Sequence, residues 1–296
     1  MIKDGVRTAV AIGKFDGMHL GHMKLLQETA SYRDKGYSSL VFTFESPVAD
    51  FFTGERSRVL TPNSEKERLL LEAGIDYLYM MPVNRQTVSC DPEAFVREIL
   101  VGRLKAGVIA AGSDLSFGDR GAGDMALLKR LSAGYGGDLD YEVSEIEKVR
   151  YRGEAISSSL IRDAVASGDM ERAADMLGRP YLIEGRVVHG RKLGKSIGMP
   201  TANQIPADDK LVPPYGVYAS EVEMDGRLCR GITNIGMKPT VKDDDAVTAE
   251  THIFDFDRDI YGENIRVGLL RFIRPEMKFE SLAALKAQME KDMMEA

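Results

Sequence analysis

The sequence predicts a parallel α/β domain followed by an antiparallel β-barrel, with a helix closing the chain. Three observations predict it. Up to Leu177, β-rich apolar runs alternate with amphipathic helical ones, the rhythm of right-handed crossovers onto a parallel sheet. Gly178-Arg179-Pro180 then breaks the last helical pattern. Beyond it, strands follow one another at short intervals, several of them joined by Gly or Asp turns such as Asp225-Gly226. The boundary is expected near Arg179, giving domains 1–178 and 179–296.

The elements follow in order. "RTAVAI" (Arg7–Ile12) reads as a buried strand, and "HMKLLQETASYRDKG" as a helix stopped by Gly36. "SLVFTF" (Ser39–Phe44) is a second strand, "SEKERLLLEAG" a helix ending at Gly74, and "DYLYMMPV" a third strand. "PEAFVREILVGRL" reads as a helix and "KAGVIAAG" (Lys105–Gly112) as a fourth strand. Ile156 to Leu177 is helical. The second half supplies "YLIEGRVVHG", "GVYASEVEM", "RLCRGITNIG", "AETHIFDF" and "NIRVGLLRFI" as strands and "SLAALKAQMEKDMMEA" as the final helix. In an open parallel sheet ligands bind where strands turn into helices, and the loops after Ile12 and after Gly112 both lie at that edge.

Composition narrows the function. The 296 residues are 44% hydrophobic and 29% charged, the balance of a globular protein with a substantial core. A net charge of −7 argues against general nucleic-acid binding, which needs clustered Lys and Arg. The two cysteines, Cys90 and Cys229, form neither a disulfide framework nor a zinc-ligand spacing, as expected in a reducing cytoplasm. No signal-peptide pattern and no apolar run of membrane-spanning length is present. A soluble cytoplasmic protein with small-molecule partners is expected, and nothing in the sequence indicates its oligomeric state.

Two of the four histidines, His19 and His22, end the stretch "GKFDGMHLGH" on a strand-to-helix turn. At i and i+3 they share one face of the first helical turn. Metal ligation, an inert structural pair and a phosphate site are the three readings. A metal site needs a third ligand, and the other histidines, His189 and His252, lie in the second half. The free N–H groups and dipole of the helix start favour an anion there, so imidazoles that stabilise charge on a nucleotide's phosphates are the favoured reading. Gly13, Phe15 and Asp16 of the same turn are counted with this site. "ISSSLIR" (Ile156–Arg162) places hydroxyls at another helix start, with Arg162 one turn in. Ser158 and Ser159 suit both an N-cap and a phosphate cradle, and Arg162 suits a charge-assisted phosphate contact. Neither a Walker A motif nor a GxGxxG opens the domain.

The second half carries "VVHGRKLGKSIGMPTAN" (Val187–Asn203) after a strand. Its glycines, Gly190, Gly194 and Gly198, let backbone N–H groups close on a polyphosphate, and Arg191, Lys192 and Lys195 offset the charge. A solvated hairpin loop is the alternative. Thr201 and Asn203 offer neutral oxygen ligands two residues apart, which suits Mg²⁺ held together with a nucleotide's phosphates. Glu250, in "AETHIFDF", shares a strand face with His252 and Phe254 by period-two alternation.

These segments resemble a known family. "GKFDGMHLGH", "GSDLSFG", "ISSSLIR", "GRPY", "VVHGRKLGKSIGMPTAN" and "ETHIFDF" occur in the order found in bacterial bifunctional riboflavin kinase/FAD synthetases, and the resemblance spans nearly the whole chain. It implies a Rossmann-like nucleotidyltransferase domain that joins ATP and FMN into FAD and pyrophosphate. It implies further a β-barrel flavokinase domain that phosphorylates riboflavin to FMN with Mg·ATP. On it, His19 and His22 are phosphate-binding catalytic residues, and Asp114, Ser158, Ser159 and Arg162 contact the nucleotide. Thr201 and Asn203 hold ATP and magnesium, and Glu250 is the base that takes the ribityl hydroxyl proton. The chain departs from the family pattern at Lys14, at Ser46-Pro47-Val48 in place of Pro-His-Pro, at Leu115, at Gly121 and at Ser159. A kinase with a weakened or altered adenylyltransferase domain, and a non-catalytic flavin or nucleotide sensor, are the alternatives. A sensor has no need of a base such as Glu250.

Overall fold

The computed structural model describes residues 2, 5–190, 194, 197–238 and 246–296. The chain divides into two compact units, Met1–Ser157 and Ser158–Ala296.

The first unit is built on a five-stranded, all-parallel sheet in the order β3-β2-β1-β4-β5. Its strands are β1 (Thr8–Ile12), β2 (Ser38–Phe44), β3 (Tyr77–Met81), β4 (Ala106–Gly112) and β5 (Glu142–Ile146), and a short separate hairpin of β6 (Arg150–Tyr151) and β7 (Glu154–Ala155) follows. All five residues of β1 are buried, as a central parallel strand requires. Alternation divides its side chains: Val10 and Ile12 join Leu40, Phe42, Phe95 and Leu128 on one face. Ala11 joins Phe15, Met18, Leu25 and Leu26 on the other, where the helix Leu20–Ser31 packs. The order reverses between β1 and β4, so the carboxyl ends of those two strands flank the switch point.

Among the elements that differ from the sequence expectation are β5 and the helix after Pro92. β5 was not expected, because its "EVSEI" reads as polar; it is an edge strand that buries mainly Ile146. The expected α-helix after Pro92 winds as a π-helix over Phe95–Arg103, with Leu104 N–H donating to Ile99 O. The wider turn brings Phe95 and Leu100, five residues apart, onto the buried face together.

The second unit holds a six-stranded antiparallel sheet in the order β8-β13-β10-β11-β12-β9. The strands are β8 (Tyr181–Arg186), β9 (Ala202–Gln204), β10 (Gly216–Met224), β11 (Arg227–Lys238), β12 (Ala246–Ile253) and β13 (Asn264–Pro275). The β10–β11 hairpin turns at Asp225-Gly226, both with positive φ (48° and 69°), the type I′ geometry that matches strand twist. The sheet curls until its two edges meet, and Val188 N–H donates to Asn203 O across the seam at 2.8 Å. Ser281 caps the C-terminal helix Leu282–Glu295, and buried Asp292 of that helix accepts three bonds of 2.7–3.1 Å from the Arg274 guanidinium of β13.

The boundary drawn from sequence lies after Gly178, whereas the contacts group Ser158–Gly178 with the second unit. The helix Met170–Leu177 packs on β8 and β13 and buries Met170, Ala173, Met176 and Leu177. A fragment of residues 158–296 is therefore expected to melt well above one of 179–296. Full burial of each large apolar side chain is worth about 1.5–3 kcal/mol. Calorimetry on the two fragments tests this, and equal stabilities would place the helical pair outside the barrel's cooperative unit.

Candidate functional site

The first cluster lies where β1 turns into the helix Leu20–Ser31. Phe15, Gly17 and Met18 all have positive φ (49°, 90° and 47°), and Phe15 and Met18 are fully buried. Each non-glycine residue in this region costs about 1–3 kcal/mol, so burial and clamps must over-determine the loop. Asp16 Oδ1 accepts N–H bonds from Leu60 (2.8 Å) and Thr61 (3.1 Å), and Thr61 Oγ1 accepts from Gly17 N–H at 3.1 Å. Thr43 Oγ1 donates to Lys14 O. Asp16 thus holds the turn in shape, an occupation that the sequence reading did not foresee. Gly13 leaves room for the Phe15 ring, which a Cβ there would meet at 3.0 Å.

His19 is the N-cap of the helix. Its Nδ1 accepts from His22 N–H at 3.3 Å, which puts the proton of the neutral ring on Nε2. The two imidazoles stack with centroids 3.7 Å apart and 20° between planes, and Phe15 lies 5.0 Å from His22. Gly21 admits this arrangement, since a Cβ at that position would meet the His19 ring at 3.1 Å. The helix's first turn carries no acidic side chain, and its positive end favours an anion. Among the described residues no group of three or more His, Cys, Asp or Glu could hold a metal ion. Across the switch point, Asp114 follows β4 and pairs with Lys148, which follows β5, at 2.9 Å. At Gly121 (φ +70°) a side chain would sit in a strained backbone conformation. Ser158, Ser159 and Arg162 open the helix Ser158–Ser167 of the second unit.

The second cluster is set by strand register. Asn203 of β9 lies opposite Glu250 of β12, and Glu250 lies opposite Asn234 of β11. Directly paired residues share a sheet face with Cβ atoms about 4.5–5.5 Å apart, so these three form one polar row. The opposite face, with Ala202, Gln204, Ala249, Thr251 and Thr233, is buried inside the barrel. Asn203 Nδ2 donates to Thr201 O at 3.3 Å. A Cβ on Gly190 would come within 2.5 Å of Asn203 Oδ1, so the glycine keeps the carboxamide's place clear. Gly194 O accepts from Met199 N–H (2.8 Å) and Ile197 N–H (3.2 Å), which folds the stretch before Pro200 back on itself, and Gly198 takes φ +80°. His252 Nδ1 lies 2.8 Å from Pro200 O and anchors the turn before Thr201, while His189 packs on Tyr261. Arg191, Lys192 and Lys195 lie outside the described residues.

Asn234 and Glu276 were not singled out from sequence. Asn234 Nδ2 donates to Glu276 Oε1 at 3.1 Å, and Gly236 leaves the space that the Glu276 carboxylate fills. An asparagine in "ITNIG" on the same alternate positions as the outward row was the available signal.

Two family models match the chain: one described as FAD synthetase over residues 2–160, and one described as riboflavin kinase over residues 177–296. A bifunctional riboflavin kinase/FMN adenylyltransferase of Listeria monocytogenes is 37% identical, across 97% of this chain and 90% of its own length. The chain belongs to the bifunctional riboflavin kinase/FMN adenylyltransferase family. Relatives with the same description from Bacillus subtilis (35% identical; 99% of this chain, 93% of theirs) and Escherichia coli K12 (37%; 97% and 91%) agree. A solved structure from Streptococcus pneumoniae, described as a macrolide-efflux protein, is 31% identical with a TM-score of 0.85 over 99% of this chain and 94% of its own. No helix among the described residues of this chain is long and apolar enough to cross a membrane. The activities are therefore riboflavin kinase and FMN adenylyltransferase, and the readings of a sensor or of a kinase with a weakened or altered adenylyltransferase domain are not favoured.

Proposed function

We propose that the second unit phosphorylates riboflavin through Glu250, Thr201 and Asn203, and that the first unit adenylylates FMN through His19 and His22. The register that sets Asn203 directly across from Glu250 carries the kinase reading. Riboflavin's terminal ribityl hydroxyl attacks poorly until its proton is taken up, and Glu250 is the carboxylate beside the nucleotide ligands that accepts it. Thr201 and Asn203 supply neutral oxygens of the kind Mg²⁺ accepts alongside phosphates, and the clearance at Gly190 fits that use. When bound, Mg²⁺ neutralises charge on the ATP phosphates. Gly190, Gly194 and Gly198 shape the polyphosphate loop, with Arg191, Lys192 and Lys195 as its cations.

Adenylylation makes different demands. The FMN phosphate, with a second pKa of about 6, is already an anionic nucleophile at neutral pH, so the site needs alignment and charge stabilisation but no base. The stacked pair His19/His22 at a helix N-terminus suits that task, with Gly13, Phe15 and Asp16 forming the turn. Asp114 contacts the nucleotide in this reading, and Ser158, Ser159 and Arg162 at the start of their own helix suit a phosphate. ATP, riboflavin and FMN are the partners, and the reducing cytoplasm is the setting. Incubating the enzyme with riboflavin and ATP is expected to give FMN and then FAD with Mg²⁺ and neither with excess EDTA. FMN formed from riboflavin in EDTA would remove Thr201 and Asn203 from their assigned role.

A further inference from the structure

The barrel has a seam, and one buried side chain reaches across it. β8 and β9 are the two edges of the six-stranded sheet. Just beyond β8, Val188 N–H donates to Asn203 O across the gap, the bridge at this seam among the described residues. Next to that bridge, fully buried Gln204 reaches from β9 across the gap, and its Nε2 donates to Gly185 O of β8 at 3.0 Å and to Ile265 O of β13 at 2.9 Å. Gly185 and Ile265 are register partners, so one carboxamide ties β9 to both strands of the facing pair at the same level. Two carbonyl partners dictate which end of the amide is nitrogen, because a flipped amide would set oxygen against oxygen. Gln204 Oε1 accepts no hydrogen bond among the described residues, so the seam is the work this amide does. Gly185 makes the approach possible: a Cβ there would meet Ile205 O at 3.2 Å.

We propose that Gln204 is a positioning residue of the kinase site, clamping β9 across the seam so that Asn203 is held opposite Glu250. The inference rests on the reading of Asn203 as a nucleotide–metal ligand. Adjacent residues of a strand point to opposite faces, so Gln204 fixes from inside the barrel the backbone whose outer side carries Asn203. On the outer side, Asn203 Nδ2 donates to Thr201 O, and the Asn203 backbone carbonyl takes the seam bond from Val188 N–H. Loss of the clamp frees β9 at its C-terminal end, next to the ligand. Partners behind a ligand commonly cost about 10- to 100-fold in affinity or activity when removed.

The test uses the full-length chain and four variants: Gln204→Met, Gly185→Ala, Asn203→Ala and the double Gln204→Met/Asn203→Ala. Mg·ADP binding is read by calorimetry in the absence of flavin, alongside KM for ATP, riboflavin affinity and FMN adenylylation. Gln204→Met is expected to weaken Mg·ADP binding and raise the KM for ATP by about tenfold. Riboflavin affinity and adenylylation should stay unchanged. Gly185→Ala, which pries the same seam by a few tenths of an ångström and leaves the amide in place, should move the same quantities in the same direction, and it carries the test should Gln204→Met not fold. In the Asn203→Ala background, Gln204→Met should add less than about twofold, because coupled residues are non-additive and a general loss of stability is not. A folded Gln204→Met or Gly185→Ala protein with wild-type Mg·ADP binding overturns the proposal, and so does full additivity of the double variant. If Asn203→Ala itself leaves Mg·ADP binding intact, the fault lies with the ligand assignment on which the proposal stands.

Discussion

Glu250→Gln is expected to slow riboflavin phosphorylation by about 10²–10⁴, the usual worth of a positioned general base. The amide keeps the size and hydrogen-bonding outline of the side chain but cannot take up a proton. Its neighbours in the polar row, Asn203 and Asn234, are untouched, so Mg·ATP binding should change little. FMN adenylylation should be unaffected, since the FMN phosphate is already ionised and Glu250 lies in the other compact unit. Supplying FMN should therefore restore FAD production in this variant. Following both products by chromatography checks each limb. Near wild-type kinase turnover would show that Glu250 is not the base. Loss of both activities would point to damaged folding and defeat the two-site account.

Replacing His19 and His22 together by Ala is expected to reduce FAD formation from FMN and ATP by at least about 10²–10³, the cost of removing one well-placed stabilising donor. FMN formation from riboflavin should persist. Two effects must be separated, because His19 also caps the helix Leu20–Ser31 through Nδ1. Losing an N-cap costs about 0.5–2 kcal/mol of stability. His19→Asn separates them, since asparagine caps well but offers no imidazole. It should keep the wild-type melting temperature and still lose most adenylylation. A His19→Asn enzyme with full activity would make the histidine a cap and nothing more. Stoichiometric zinc in the wild type, absent from the double variant, would support metal ligation in its place.

Much of this was legible in the primary structure for a physical reason: local pattern determines local structure. Buried parallel strands must be apolar throughout, so "RTAVAI" and "KAGVIAAG" announced β1 and β4 and the switch-point loops that follow them. Asp225-Gly226 announced its hairpin because few other residues tolerate two positive φ angles. The chemistry-bearing residues stood out by type and spacing. What the chain by itself could not determine is what long-range pairing decides. "EVSEI" becomes β5 only because β4 offers it an edge, and Ala202–Gln204 becomes β9 only because β12 does. The turn residue Asp16 reads as a ligand until the N–H groups of Leu60 and Thr61, more than forty residues away, are brought to it. The helices after Ser158 read as the end of the first domain, but the helix Met170–Leu177 packs on β8 and β13 and the helix Ser158–Ser167 packs on it. Asn203 and Glu250 are 47 positions apart, and only antiparallel register sets one opposite the other, adds Asn234 to the row and turns Gln204 inward to the seam. Residue type determined what the site can do; the closing of the barrel decided which of those residues meet, because hydrogen-bond register across strands is a property of the pairing and of neither strand alone.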